Sequence, residues 1–180
     1  SFWCVDPLDG TKEFIKKNDE FTVNIALIQN QQPILGVIGV PAKKIVYAAV
    51  KGGGAFKQDG DNELLTIQVK TQDLDNLTFA VSRSHLDDQT KKMVEGYQAE
   101  MLQAGSALKL AYVAEGLVDV YPRFGPTMLW DVVAGQCIIE EAGGKVEWAK
   151  NHYPMTYNIR HMKNDPFIAM NEMLKKKVMV

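Results

Sequence analysis

The chain has 180 residues, of which 46% are hydrophobic, and its 20 Lys and Arg residues nearly balance its 22 Asp and Glu residues, giving a formal net charge of -2. This length and composition predict a globular protein of one domain, or of one domain and part of another. The basic residues form no stripe, so binding to a nucleic-acid polymer is not expected, and the apolar stretches are too short or too interrupted to form a transmembrane segment.

The first half of the chain is predicted to form strands. Residues 1–5 are mostly apolar and indicate a buried strand. Because the sequence begins within this strand and has no initial methionine, we expect further chain upstream. Residues 22–29 alternate and are rich in β-branched side chains, and 33–40, 44–50 and 55–57 continue an antiparallel meander. The three glycines at 52–54 are not followed by Gly-Lys-Ser/Thr, so a hairpin turn is predicted there rather than a phosphate-binding loop.

Beyond about residue 77 the predicted elements alternate between strand and helix. Residues 77–82 predict a strand, and 87–100 predict a helix that begins near Asp87 or Asp88. A second helix is predicted over 106–115, a strand over 117–121, and a third helix over about 127–141 that ends at Gly143 and Gly144. The change of pattern indicates a domain boundary near residue 77.

A pair of acidic residues follows the first strand. Asp6 and Asp9 are three positions apart, Pro7 forces extended geometry on Asp6, and Gly10 permits a tight turn. The two carboxylates and the intervening carbonyl of Leu8 offer a partial ligand shell for a hard cation such as Mg²⁺. An acidic surface turn is the alternative, because Asp, Pro and Gly are common turn residues.

Asp131 provides a third acid. It lies in the first turn of the third predicted helix, where the helix dipole keeps a carboxylate ionised, as a metal ligand requires. Taken alone, Asp131 is better explained as an acid that only complements the dipole. Together with Asp6 and Asp9 it indicates a divalent-metal site.

Two long motifs resemble the signatures of the inositol monophosphatase-like, lithium-sensitive phosphatases. The first is Trp-Cys-Val-Asp-Pro-Leu-Asp-Gly-Thr at residues 3–11, and the second is Trp-Asp-Val-Val-Ala-Gly at 130–135, closed by Glu-Ala-Gly-Gly at 141–144. Within that superfamily, the segments 12–15, 82–85, 105–109 and 121–126 are similar to those of the CysQ-type 3'(2'),5'-bisphosphate nucleotidases. The resemblance spans nearly the whole chain.

This resemblance implies a fold and a domain organisation. The family fold is a layered α/β/α/β/α sandwich of α+β and α/β parts, with the active site between two domains. Residues 1–77 would form the C-terminal part of the N-terminal α+β metal-binding domain, with its antiparallel sheet, and residues 78–180 the C-terminal α/β domain. The helical region that in relatives supplies a glutamate ligand and a carboxylate partner for the catalytic threonine is absent before Ser1. We therefore expect an N-terminally truncated fragment that lacks the N-terminal helices.

The resemblance also implies roles for individual residues. Asp6, Asp9, Asp131 and the carbonyl of Leu8 would hold two or three Mg²⁺ ions. Thr11 would be catalytic together with Asp9, its hydroxyl helping to activate the attacking water, and a helix N-cap stays open as a further role for Thr11. The substrate-binding residues would be Leu8, Asp9, Gly10, Thr11, His85, Ser106, Lys109, Arg123 and Asp131.

Three of these substrate-binding residues have alternatives or support of their own. Ser106 and Lys109 are three positions apart, which would put them on one face of the second predicted helix. Without the resemblance, Lys109 could be a solvated helix charge and His85 a capping or surface imidazole. Ala107 stands where many relatives have a second serine.

The reaction expected from the resemblance is Mg²⁺-dependent removal of the 3'-phosphate of adenosine 3',5'-bisphosphate to give AMP, in sulfur assimilation and nucleotide recycling, with 3'-phosphoadenylyl sulfate as a second substrate. An inositol monophosphatase or related sugar phosphatase is the second hypothesis, and an inactive metal- or nucleotide-binding fragment is the third. The expected partners are a small nucleotide and a second copy in a homodimer. Cys4 and Cys137 are typical of buried thiols in a reducing cytosol, so a cytoplasmic location is expected, with a peripheral position at the inner face of the plasma membrane as the alternative.

Overall fold

The first sheet is an antiparallel meander of six strands. The computed structural model describes residues 1–71, 76–84 and 86–175. The strands follow one another in chain order across this sheet: β1 (Phe2–Asp9), β2 (Thr22–Gln29), β3 (Gln32–Val40), β4 (Ile45–Val50), β5 (Gly54–Asp59) and β6 (Leu65–Ile67). A short helix, α1 (Thr11–Lys16), connects β1 to β2. The predicted meander and the hairpin turn at Gly52 to Gly54 are therefore confirmed.

The second sheet is mixed and has five strands in the order β11-β13-β9-β7-β8. Strand β7, which lies next to the edge strand β8, is parallel to both β8 and the central strand β9, whereas β13 is antiparallel to β9 and β11. A separate two-stranded ribbon is formed by β10 and β12. The strands are β7 (Thr78–Ser82), β8 (Glu100–Ala104), β9 (Val120–Arg123), β10 (Thr127–Met128), β11 (Gly144–Trp148), β12 (Lys163–Asn164) and β13 (Phe167–Asn171).

Helices cover both faces of the second sheet. Phe79 and Val81 of β7 pack with Val94 of α2 (Asp88–Gly96), whereas Ala80 between them faces the core that contains α3 (Leu108–Ala114) and α4 (Leu129–Glu141). Both α3 and α4 lie between the two sheets. The described residues thus form β/α/β/α layers, in agreement with the layered fold that the sequence predicts.

Helix α4 is buried almost all round, because it packs on the first sheet, on α3 and on β11. Glycines allow its close approach: a Cβ on Gly36 of β3 would clash with the carbonyl oxygen of Ala134, and a Cβ on Gly135 would lie 2.5 Å from Leu110 Cδ1. The burial of several faces follows from its place between two sheets.

Some predicted element boundaries are wrong, each for a local reason. Helix α2 ends at Gly96 rather than at residue 100, because Gln98 is left-handed (φ 50) and the following residues form β8. Ser106 is also left-handed (φ 48), so α3 begins only at Leu108. The strand predicted at 117–121 is found at Val120–Arg123. The third helix starts at Leu129, because Thr127 and its neighbour pair with β12.

The two sheets are drawn from separate parts of the sequence, Phe2 to Ile67 and Thr78 to Asn171. Their shared core includes α4, which comes from the second part and packs on the first sheet. The boundary near residue 77 stays a prediction. Cys4 and Cys137 are buried free thiols, as expected, and no helix among the described residues has the length and apolar character needed to cross a bilayer.

Candidate active site

A β-bulge in β1 turns both acids of the loop to the same side of the sheet. Asp6 pairs with Asn24 and Asp9 pairs with Thr22, so three residue steps on β1 face two steps on β2. In a regular strand, residues three apart point to opposite faces. The extra residue of the bulge returns Asp9 to the face of Asp6. Pro7, which has no N–H for the ladder, lies within this bulge.

Asp131 completes an acidic cluster with Asp6 and Asp9. Each of the three residues offers a carboxylate oxygen, and these oxygens lie within 4.8 Å of one another. Asp131 is in the first turn of α4, where its Oδ2 accepts a hydrogen bond from the Met128 N–H at 2.7 Å. The N–H of Leu8 donates to Asp6 Oδ1 at 3.0 Å. The structure thus brings the three predicted acids together, and their role as metal ligands stays a prediction.

The cluster has the properties of a site for a hard divalent cation. Asp9 is half-buried, and its Oδ2 accepts hydrogen bonds from Thr22 Oγ1 at 3.3 Å and Asn24 Nδ2 at 3.2 Å. Burial and then repulsion from Asp131 raise the pKa of Asp9 to about 6. Burial also raises the pKa of Asp131. Converging oxygen donors that repel one another are what a cation such as Mg²⁺ would neutralise, so these residues fit one.

The loop that follows β1 is packed directly against the loop before α3. Gly10 adopts a left-handed conformation (φ 83) and forms the N-cap of α1, which begins at Thr11. The N-cap role left open for Thr11 is therefore wrong. A Cβ on Gly10 would overlap with Ser106 Oγ, which donates to the carbonyl oxygen of Asp9 at 3.0 Å. Only glycine fits this close contact.

Ser106 and Lys109 are linked, although not in the way that their spacing predicted. Because Ser106 precedes α3, the two residues do not share a helix face. Instead, Lys109 Nζ donates to the carbonyl oxygens of Ser106 at 2.7 Å and Ala104 at 3.3 Å. Lys109 thus holds the loop at 104–106 from the helix side.

Lys109 is buried rather than solvated, which rules out the alternative of an exposed helix charge. Its Nζ lies 5.4 Å from the centre of the Tyr121 ring, a cation–π distance. Burial lowers the pKa of Lys109 to about 8, while Asp9 opposes that shift. The ammonium group is therefore poorly solvated.

A cleft of about 270 Å³ joins these groups. Asp9, Asp131, Lys109 and Arg123 all line it, so acidic and basic side chains share one cavity. Thr11, which is exposed, also lines this cleft. Arg123 ends β9, and its Nη2 donates to the carbonyl oxygen of Pro126 at 3.3 Å. His85 lies outside the described residues.

Several polar residues at the site were missed by the sequence analysis. Glu13, which lines the cleft, and Glu20, which does not, are buried acids that accept hydrogen bonds from Ser84 and Arg83 respectively. Nothing local in the sequence marks them as buried, and their partners are more than sixty residues away.

Two polar residues of β2 could have been found. The alternation of β2 places Thr22 and Asn24 on the same inward face as Ala26 and Ile28. Polar side chains at buried strand positions need hydrogen-bond partners, and Asp9 supplies one.

Two sheets enclosing helices, with three converging aspartates of which Asp9 and Asp131 line a cleft, define a layered α/β protein with a candidate metal centre. The profile of the inositol monophosphatase family, which is metal-dependent, matches residues 1–178, and the chain belongs to this family. It is 44% identical over 149 residues to the 3'(2'),5'-bisphosphate nucleotidase CysQ of Salmonella typhimurium, an alignment that covers 82% of this chain and 59% of the relative. The corresponding Escherichia coli protein is 41% identical over 167 residues, covering 92% of this chain and 65% of the relative.

Solved structures show the same relationship. CysQ from Bacteroides thetaiotaomicron superimposes with a TM-score of 0.86 at 42% identity, covering 95% of this chain and 70% of that chain. Inositol monophosphatase from Anabaena gives a TM-score of 0.79 at 30% identity, covering 98% of this chain and 72% of that chain. The chain spans 59% and 65% of the length of the two curated relatives described above.

Proposed function

We propose that this chain belongs to a Mg²⁺-dependent nucleotidase that removes the 3'-phosphate of adenosine 3',5'-bisphosphate to give AMP. The observation that carries this proposal is that Asp9 and Asp131 of the acidic cluster line the same cleft as the buried Lys109. A substrate with two phosphates needs both a metal site for the phosphate that leaves and a separate cationic site for the one that stays. The names of the relatives at 41–44% identity support the same substrate.

The proposed roles follow from the positions of the residues. Asp6, Asp9, Asp131 and the carbonyl of Leu8 would hold two or three Mg²⁺ ions. Bound there, the metal would neutralise phosphate oxygens and make water a better nucleophile. The exposed hydroxyl of Thr11 would orient that water within the cleft.

The retained phosphate is assigned to the basic side of the cleft. Lys109 and Arg123 would neutralise it, and Ser106 and Gly10 would shape the cavity beside it. His85 is proposed to contact the nucleotide as well. A preformed cationic site is efficient because its groups do not need to reorganise when the substrate binds.

Wider assignments belong to the same proposal. We place the protein in sulfur assimilation and nucleotide recycling, with 3'-phosphoadenylyl sulfate as a second substrate and a cytoplasmic homodimer as its form. A peripheral position at the inner face of the plasma membrane is the alternative location. The division into domains at residue 77 would put the cleft between them.

Measurement of phosphate release tests the proposal. With Mg²⁺ present, we expect adenosine 3',5'-bisphosphate to be hydrolysed with a kcat/KM at least tenfold above that for inositol 1-phosphate, and the chelator EDTA to abolish both. Asp9→Asn should remove the activity, while Asp61→Asn, at an exposed acid in the turn between β5 and β6, should retain it.

Other outcomes separate the alternatives. A preference for inositol 1-phosphate would indicate a sugar phosphatase, because that substrate has one phosphate and does not need the second cationic site. Binding of the nucleotide without turnover would indicate an inactive binding fragment. Unchanged activity in Asp9→Asn would refute the proposed metal site.

A further inference from the structure

The carboxylate of Glu20 accepts three hydrogen bonds from the second half of the chain. Arg83 donates from Nε at 2.9 Å and from Nη2 at 2.8 Å, and the backbone N–H of Gly105 donates at 2.9 Å. Glu20 lies between α1 and β2, whereas Arg83 follows β7 and Gly105 follows β8. These bonds join the segment beside the acidic cluster to two loops of the five-stranded sheet.

The geometry of this group is that of a strong ion pair. The two parallel N–H donors of the guanidinium meet the two oxygens of one carboxylate, which is the most favourable arrangement for Arg and Glu. Only 12% of the Glu20 side chain is exposed. Although burial acts in the opposite direction, the hydrogen bonds from Arg83 hold the pKa of Glu20 below its usual value.

The loop at 104–106 needs to be held in place from outside. Ser106 is left-handed (φ 48), a conformation that costs free energy in a residue other than glycine and persists only where the surroundings impose it. On one side of this loop, Gly105 is bound to Glu20, and a Cβ on Gly105 would lie 2.5 Å from Glu13 Cγ. On the other side, Ser106 Oγ donates a hydrogen bond to the carbonyl oxygen of Asp9, in the loop at 6–10 that carries two of the three acids.

The position of this loop determines the position of Lys109. The ammonium group donates to the carbonyl oxygens of Ala104 and Ser106, the residues on either side of Gly105. Arg83 adds a further contact from Nη2 to the carbonyl oxygen of Gln103 at 3.0 Å. A displacement of the loop would therefore carry Lys109 with it.

We propose that the Glu20–Arg83 ion pair positions Lys109, because it holds the loop at 104–106 against the loop at 6–10. Neither Glu20 nor Arg83 is among the residues that line the cleft, so both are positioning residues rather than residues that touch the ligand. The identity of the ligand rests on the proposed function, because AMP carries the phosphate assigned to Lys109. The mechanical role of the ion pair does not rest on it.

The chain offers a matched control. Lys57 of β5 and Glu115, the residue after α3, form another ion pair between the first sheet and the second half of the chain, at 2.5 Å. Their side chains are 23% and 14% exposed, and neither residue lines the cleft. Lys57→Met therefore removes a comparable connection at a place where Lys109 is not affected.

The test compares the wild-type protein with Arg83→Met, Arg83→Lys and Lys57→Met. The AMP dissociation constant is measured by calorimetry, and amide hydrogen exchange is followed in peptides that cover residues 103–111. We expect Arg83→Met to weaken AMP binding at least tenfold and to speed exchange in this segment at least tenfold. Arg83→Lys keeps one charged donor, so its AMP affinity and exchange rate should lie between those of wild type and Arg83→Met. Lys57→Met should leave both quantities within twofold of wild type.

Two results would overturn the proposal. One is an AMP affinity and an exchange rate in Arg83→Met that stay within twofold of wild type. The other is faster exchange with unchanged AMP affinity, which would reduce the ion pair to a structural contact. If Arg83→Met does not fold, Glu20→Gln, which keeps the side-chain size, carries the same expectations. If AMP binds to no variant, including wild type, the proposed function fails, and the exchange rates alone decide whether the ion pair holds the loop.

Discussion

Gly36 on β3 lies directly against the backbone carbonyl oxygen of Ala134 on α4, with no room for a Cβ between them. An added Cβ would also come 3.0 Å from Cys137 Cβ. A carbonyl within a helix cannot rotate away as a side chain can, so the whole of α4 would have to move off the sheet. Since α4 carries Asp131, the distance between α4 and the first sheet also affects the distance between Asp131 and the two acids of β1.

We expect Gly36→Ala to lower the free energy of unfolding by about 2 kcal/mol, the usual cost of an overpacked core. Gly39→Ala on the same strand is the control, because its nearest neighbour, the carbonyl oxygen of Val23, would be 3.8 Å away. Urea denaturation measures both. Equal losses in the two variants would show that strand geometry, and not the contact with α4, determines the cost.

Removal of one acid from the cluster should stabilise the metal-free protein. In Asp131→Asn the repulsion that raises the pKa of Asp9 is gone, while the amide oxygen can still accept the hydrogen bond from Met128. We expect a gain of about 1 kcal/mol in EDTA, since one pKa unit corresponds to roughly 1.4 kcal/mol. The increase in melting temperature that Mg²⁺ gives to wild type should be lost.

Melting curves in EDTA and in Mg²⁺ measure both effects, with Asp61→Asn as the control for removal of an exposed acid. An Asp131→Asn protein that keeps the full response to Mg²⁺ would contradict the assignment of Asp131 to a metal site, whereas one that is less stable in EDTA would show that the helix dipole and the Met128 hydrogen bond outweigh the repulsion from Asp9.

Anion binding should weaken as the pH rises through about 8. Burial lowers the pKa of Lys109 to about 8, with Arg123 adding to the shift and Asp9 opposing it, so the free protein loses this positive charge in that range. We expect the AMP dissociation constant to rise by close to tenfold per pH unit above pH 8. Lys109→Arg, which does not titrate there, should show a nearly flat profile. A flat profile in wild type would show that the charge on Lys109 does not contribute to binding.

The same shift predicts how stability depends on pH. The unfolded chain holds this proton up to the ordinary lysine pKa of about 10.4, well above the folded value, so the unfolded state binds more protons between the two values. The cost of burying the charge is fully present below pH 8 and is relieved as the pH rises. Relative to Lys109→Met, wild type should gain stability over that range, at no more than about 1.4 kcal/mol per pH unit.

Glu141 should contribute to stability without affecting the cleft. Its two carboxylate oxygens accept the N–H groups of Gly52 and Gly54, each at 2.9 Å, which ties the β4–β5 turn to the end of α4. We expect Glu141→Gln to cost about 1–2 kcal/mol, because one charged acceptor is replaced by an amide that cannot accept both bonds.

Urea denaturation of Glu141→Gln, compared with Glu95→Gln at an exposed position of α2, measures this contribution. AMP affinity should stay unchanged in both variants. A loss of affinity in Glu141→Gln would mean that the turn influences the cleft through α4.

The alternation of apolar and polar residues in the sequence predicted the strands that have one buried face. Residues 22–29 were predicted as a strand and form β2 over the same residues, because alternation reports directly on a half-buried strand. By contrast, β8 was not predicted, and its first residue, Glu100, was assigned to a helix. Most of its side chains are exposed, so its sequence carries no alternation. The end of α2 depends on Gln98 in a left-handed conformation that its residue type does not announce.

Some features of the candidate site could be predicted from the sequence, and others could not. Asp6, Asp9 and Asp131 could be named from their motifs, and the structure brings them together. The contact between Glu20 and Arg83 could not be predicted, because the residues are 63 positions apart and each resembles an ordinary surface charge in the sequence. Contacts between distant segments depend on how the sheets and helices pack together, and a short stretch of sequence carries no information on that packing.

The bulge between Asp6 and Asp9 makes the pairing of this segment with β2 as important as its composition. If the same residues paired regularly, with the bulge lost and no residue removed, β1 would slip by one position from there on, and Asp9 would face the opposite surface of the sheet, away from Asp131. Both aspartates would still be present, yet the site would be dismantled. A substitution that abolished the bulge without touching either acid would therefore be as damaging as the loss of an acid.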